Sequence, residues 1–204
     1  MTESEQSLLI VEDDPALAGY LASALGEKGF LVHTASDRAG ALAHLESVTR
    51  FGLVLLDLGL PPAPSTMEVG LALLEEILAK SPSMKVVVLT GQDENAAALE
   101  AVRRGAFDFL VKPATVGNIL QALRRAALFM REELRMAEAG EARVHLTARL
   151  NEGPKEAAAA AEEQLLRRAL VEAGYNVAEA ARRLGLAREH VYYYLNKYGI
   201  RRPG

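Results

Sequence analysis

Phe51-Gly52-Leu53-Val54-Leu55-Leu56-Asp57 is an apolar run closed by a carboxylate. A run of this length reads as a buried strand, and Asp57 then stands at its C-terminal tip. Three neighbouring runs repeat the pattern. Leu8-Leu9-Ile10-Val11 ends in Glu12, Asp13 and Asp14, Val86-Val87-Val88-Leu89 ends in Thr90, and Phe107-Asp108-Phe109-Leu110-Val111 ends in Lys112-Pro113. Longer amphipathic stretches separate them. Strands are expected near 7–11, 30–34, 52–56, 85–89 and 107–111, and helices near 15–27, 37–48, 69–80, 94–104 and 115–138. Strict β-α alternation with apolar strands predicts an α/β fold whose five-stranded parallel sheet is covered on both faces. Ligand chemistry in such a sheet sits beyond the carboxyl ends of the strands, so acids, a hydroxyl and an ammonium are expected at one edge.

Local signals support this parsing. Asp14-Pro15 is a helix start, an N-cap carboxylate followed by proline at the first helical position. Gly29 and Gly105 stand where helices should stop. Pro61-Pro62-Ala63-Pro64 marks a loop beside the proposed site. Val116, Leu120, Leu123, Ala127, Met130, Leu134 and Ala137 follow a 4-3 spacing along the last helix, which either packs on the sheet throughout or uses its second half as a helical dimer contact.

The chain of 204 residues has an apolar content of 50% and no cysteine, which excludes disulfides, thiolate metal sites and cysteine nucleophiles. Its polar, acidic start lacks the pattern of a signal peptide, and no apolar run reaches membrane-spanning length. A cytoplasmic protein with no membrane partner is expected. Residues 1–150 carry 14 basic and 20 acidic residues, whereas 151–204 carry nine and seven. An acidic front and a mildly basic tail suggest two functions in one chain.

Clustered carboxylates without Cys or His favour a hard cation, Mg²⁺ above all. Such a cation offsets repulsion among Glu12, Asp13 and Asp57 and screens an incoming phosphoryl group. A carboxylate nucleophile can form an aspartyl phosphate, whose oxygens need charged or hydrogen-bonding partners. Lys112 and Thr90 can supply them.

With Val11-Glu12-Asp13-Asp14, Leu55-Leu56-Asp57-Leu58-Gly59-Leu60-Pro61, Leu89-Thr90-Gly91 and Gly105 to Pro113 in this order, residues 7 to about 128 resemble the CheY-like receiver domain of bacterial two-component response regulators. The resemblance implies a flavodoxin-like (βα)5 domain in which Asp57 accepts phosphate from a sensor histidine kinase. It also implies Mg²⁺ on Asp13, Asp57 and the Gly59 carbonyl, with Glu12 acting through water, and Thr90 and Phe109 as switch residues beside Lys112. A receiver catalyses only its own phosphorylation and dephosphorylation, so the chain is not expected to be an enzyme. The segment from Pro61 to Gly70 is longer than the usual loop after the phosphorylated strand.

Residues 140–155 lose periodicity, with Gly140 and Gly153-Pro154 bracketing an expected linker. The domain organisation reads as a receiver over 7–128, a helical extension and linker over 129–155, and a helix-turn-helix domain over 156–204. An alanine-rich helix is expected over 156–173. Beyond it, small Ala180-Ala181, a turn at Leu184-Gly185-Leu186 and a second helix burying Val191 and Leu195 have helix-turn-helix spacing. Together with Asn176, Arg188 and Tyr198-Gly199-Ile200, this small all-α module resembles the Fis-type helix-turn-helix at the C-termini of NtrC-like regulators. The resemblance implies a homodimer on double-stranded DNA, aided by the helix over 156–173. Arg188 is the foremost expected groove contact, followed by His190, Tyr192, Tyr193 and Lys197, while Tyr194 is a core candidate. The chain has no G-x-x-x-x-G-K-[ST] phosphate loop, so the central ATPase of NtrC-like proteins is missing between the two regions. The leading expectation is a response regulator whose phosphorylation controls dimerisation, DNA binding and transcription. The alternative is a receiver-based adaptor or phosphate sink whose tail only dimerises or binds protein.

Overall fold

The computed structural model describes residues 6–46, 51–91, 94–139 and 154–201. Its elements run β1 (Gln6–Val11), α1 (Pro15–Gly26), β2 (Phe30–Ala35), α2 (Arg38–Glu46), β3 (Leu53–Asp57), α3 (Glu68–Lys80), β4 (Lys85–Thr90), α4 (Glu94–Arg103), β5 (Asp108–Val111) and α5 (Val116–Glu138). Three further helices follow, α6 (Pro154–Glu172), α7 (Val177–Leu184) and α8 (Arg188–Lys197). The chain divides into two compact units, Met1–Glu132 and Glu133–Gly204.

In the first unit the five strands are all parallel, in the order β2-β1-β3-β4-β5. Successive side chains of a strand face opposite sides, and the core divides accordingly. Leu9, Val11, Val54, Leu56, Val86 and Val88 pack with α2, α3 and Ala101 of α4 on one face. Leu8, Ile10, Leu53, Leu55, Val87 and Leu89 pack with Leu21 and Leu25 of α1 and with α5 on the other. The central strands β3 and β4 are buried throughout, as their apolar runs predict. The outer strands β2 and β5 are half-exposed, because each has a neighbour on one side only.

The expected helix signals hold. Asp14 accepts from the backbone N–H of Ala16 at 2.8 Å and Leu17 at 3.2 Å, opening α1 with Pro15 in its first turn. Gly29 and Gly105 take the left-handed backbone after α1 and α4, at φ 92° and 96°. The end of the helix expected over 37–48 lies outside the described residues, as does most of the linker expected over 140–155; its last two residues instead open α6, which begins at Pro154. In α5 the sheet-facing stripe is Ile119, Ala122, Leu123, Ala126 and Ala127, so Leu123 and Ala127 of the 4-3 series serve the sheet. Leu134 of that series is 54% exposed.

The second unit is all-α. Leu166 and Leu170 of α6, Ala180 and Ala181 of α7, Val191 of α8 and Ile200 form its core. Asn176 caps α7 by accepting from the N–H of Ala178 at 3.0 Å and Glu179 at 3.2 Å. Gly185 ends α7 at φ 65°, a left-handed position that suits glycine. Small side chains at 180 and 181 let α7 approach its neighbours closely. Val191 is fully buried, but Leu195 is only half-buried, and Ile200 closes the core in its place.

Candidate functional site

Parallel pairing with offset registers brings the strand ends to one edge. Leu56 pairs with Val11, Leu89 with Asp57, and Val111 with Thr90. Two bonds past the regular ladder hold this edge, from the Leu58 N–H to the Leu89 carbonyl (3.2 Å) and from the Lys112 N–H to the Thr90 carbonyl (2.7 Å). Glu12, Asp57 and Lys112 continue the side-chain alternation of Ile10, Leu55 and Leu110, which all lie on the α1 and α5 face. The three groups meet there. Lys112 Nζ donates to Asp57 Oδ2 at 2.7 Å and to Glu12 Oε2 at 2.8 Å. Glu12 is 2% and Asp57 5% exposed.

The electrostatics follow from that burial. Loss of hydration pushes the Glu12 carboxyl above its ordinary range, aided by the Asp57 charge and opposed by the hydrogen bond from Lys112. Burial works against the Lys112 charge, but hydrogen bonds to Asp57 and Glu12, with their charges, outweigh it and raise its pKa. One ammonium thus neutralises two carboxylates that would otherwise repel each other.

Asp13 is exposed at the rim. Glu12, Asp13 and Asp57 each offer an oxygen within 4.8 Å of the others. An all-oxygen donor set of three carboxylates fits a hard divalent cation such as Mg²⁺. The Gly59 N–H donates to Asp57 Oδ1 at 3.1 Å, fixing the carboxylate from the loop side.

Asp57 opens into a cleft of about 440 Å³ lined by Asp13, Asp57, Gly59, Thr90, Gly91 and Lys112, with Pro64, Ser65, Thr66 and Met67 on a further wall. Sequence reasoning marked the proline-rich segment as adjacent but did not assign it to the cleft. A side chain at Gly59 would come within 3.0 Å of the Pro64 carbonyl, so the loop occupies the space beside Asp57 that a larger residue would need. Phe109 is 38% exposed on β5, outside the core, with Leu99 and Val102 of α4 also exposed.

In the second unit Arg188 opens α8, and it is exposed together with His190, Tyr192 and Tyr193. Tyr194 packs against the core, as its position beside Leu195 suggests. Lys197 is engaged within the unit, donating to Glu162 Oε2 of α6 at 2.6 Å. No helix among the described residues is long and apolar enough to cross a membrane.

Known proteins share both regions. Residues 8–124 match the family described as the response regulator receiver domain, and residues 157–198 match the bacterial regulatory protein, Fis family. The nitrogen assimilation regulatory protein NtrX of Azorhizobium caulinodans is 35% identical over 130 residues, covering 63% of this chain and 28% of the relative. The photosynthetic apparatus regulatory protein RegA of Rhodobacter capsulatus is 34% identical over 120 residues, covering 59% of this chain and 62% of the relative. The chain therefore spans less than two thirds of the length of either relative. Among solved structures, the receiver domain of NtrX from Brucella abortus superposes with a TM-score of 0.53 at 34% identity, covering 58% of this chain and 96% of that one. The strand-end acids and lysine, the β2-β1-β3-β4-β5 sheet and a match across more than half of the sequence converge: the chain belongs to the response regulator receiver family, which is regulatory rather than enzymatic, and carries a Fis-type helix-turn-helix with no ATPase domain between the two.

Proposed function

We propose that this protein is a two-component response regulator in which phosphorylation of Asp57 by a sensor histidine kinase controls dimerisation and binding to double-stranded DNA. The observation that carries this reading is the double hydrogen bond of Lys112 to Asp57 and Glu12 at the mouth of an open cleft. The buried carboxylate is held by the Lys112 ammonium and the Gly59 N–H and faces the cleft, as a positioned nucleophile must. An Asp57 oxygen attacks the phosphorus of the kinase's phosphohistidine. The new O–P bond forms as the P–N bond breaks, and the electron pair leaves with the imidazole. Lys112 then has a phosphoryl oxygen to pair with in addition to Glu12, and the Thr90 hydroxyl donates to another. Glu12, Asp13, Asp57 and the Gly59 carbonyl would hold Mg²⁺, which supplies charge neutralisation between the carboxylates and the phosphoryl group.

The output follows from the second unit. Exposed Arg188, His190, Tyr192 and Tyr193 on α8 support insertion of this helix in the major groove, and two copies would read paired half-sites. Exposed Leu99, Val102 and Phe109 support the α4 and β5 surface as the face that changes on phosphorylation. Treatment with acetyl phosphate and Mg²⁺, followed by reductive trapping and peptide mapping, tests the phosphoacceptor. Label on the peptide containing Asp57, and none in Asp57→Asn, is expected. Stoichiometric label in Asp57→Asn would overturn the assignment.

A further inference from the structure

The cations of the helix-turn-helix unit are mostly spent on its own acids. Arg167 pairs with Glu163, Arg168 with Glu172, and Arg183 with both Glu179 and Glu172, while Arg182 also pairs with Glu179. Lys197, the last residue of α8, is the most heavily engaged. Its ammonium donates to Glu162 Oε2 at 2.6 Å and lies over the rings of Tyr198 at 4.7 Å and Tyr194 at 5.4 Å. The Tyr198 hydroxyl donates to the same carboxylate oxygen. Hydrogen bonds from Lys197 and then Tyr198 hold the Glu162 carboxyl below its ordinary range. An isolated exposed pair holds little. Here two donors converge on one oxygen and two aromatic faces flank the cation, so the lysine is fixed from several directions.

Arg188 and Arg201 differ. Neither has an acidic partner among the described residues, and both are exposed. Arg188 begins α8 behind Ala187, which caps the helix with no side-chain bond. Arg201 follows Ile200, which is buried in the core and donates its N–H to the Leu195 carbonyl at 2.9 Å. Its backbone position is therefore fixed although its side chain is free. The remaining unpaired cation among the described residues of this unit is Lys155, at the start of α6 and outside the helix-turn-helix.

We propose that Glu162 makes Lys197 a positioning residue, a strut that pins the end of the recognition helix to α6, and that the phosphate contacts of this unit fall to Arg188 and to Arg201. The inference rests on the DNA-binding reading above and assigns its electrostatic part residue by residue. Each cation that neutralises a phosphate adds about 0.9 to the steepness of log affinity against log salt. A strut adds nothing to that slope, whatever it does to the helix.

The test uses the full chain and a random-sequence DNA duplex, with affinity measured across a salt series. Arg188→Gln and Arg201→Gln should each flatten the slope by about 0.9 per bound protomer. Lys197→Gln should leave the slope unchanged while lowering the melting temperature of the helical unit. Glu162→Gln should lower it likewise, and the double variant should lose little more than either single one. A slope that flattens in Lys197→Gln, or stays unchanged in Arg201→Gln, overturns the proposal. If Lys197→Gln does not fold, Lys197→Met, which keeps an unbranched stem beside the Tyr198 and Tyr194 rings, serves in its place with the same unaltered slope expected; a flattened slope there overturns the proposal too. Failure of the unaltered chain to bind any duplex at low salt would instead sink the DNA-binding reading, and with it the roles of Arg188 and Arg201. The denaturation cycle would still decide whether Glu162 holds Lys197.

Discussion

Two buried carboxylates share the single ammonium of Lys112, which is itself 27% exposed at the side chain. Removing one partner of a buried pair leaves the other charges uncompensated, at a cost of about 3–5 kcal/mol where burial is complete. Lys112 reaches solvent, so Lys112→Gln is expected to cost about 2 kcal/mol in urea denaturation without divalent ions. Added Mg²⁺ should recover part of the loss, because Asp13 at the rim completes a three-carboxylate site that does not use the lysine. Equal stability of the variant and the unaltered chain would show that the ammonium does not offset the carboxylates.

At the scale of elements, α3 lies close to the loop that follows β3. A Cβ placed on Gly70 falls 2.4 Å from the Leu58 Cα and 2.6 Å from its carbonyl oxygen. Both obstacles are backbone, so no rotamer change relieves them. Alanine gains about 1 kcal/mol over glycine in a helix interior, but this clash exceeds it. Gly70→Ala should destabilise the first unit by about 1–3 kcal/mol, read by thermal denaturation, and should slow acetyl phosphate labelling by displacing Leu58 beside Asp57. The central strands were legible from sequence because Leu53–Asp57 and Lys85–Thr90 carry apolar side chains to both covered faces. The cap at Asp14 was legible because a cap acts within three residues; Asn176, which caps α7 over the same short span, was not read as a cap from the sequence. The wall from Pro64 to Met67 was not, since loop geometry, not periodicity, brings it over Gly59. Nor was the Glu162 clamp on Lys197, which joins residues 35 positions apart through tertiary packing alone.

The whole molecule carries a receiver, with its acids and lysine at one sheet edge, and a helix-turn-helix in the same chain. In the proposed function, regulation at this scale is a free-energy coupling between phosphorylation of Asp57 and DNA binding, and coupling energies of this kind commonly correspond to changes of about 5–150-fold in affinity. Duplex binding by the full chain, unaltered and as Asp57→Asn, each with and without acetyl phosphate and Mg²⁺, measures that coupling. The duplex is one recovered by selection from genomic fragments. The phosphodonor should tighten binding of the unaltered chain about tenfold and leave Asp57→Asn unchanged. The same response in both proteins, or none in either, would contradict control of DNA binding through Asp57.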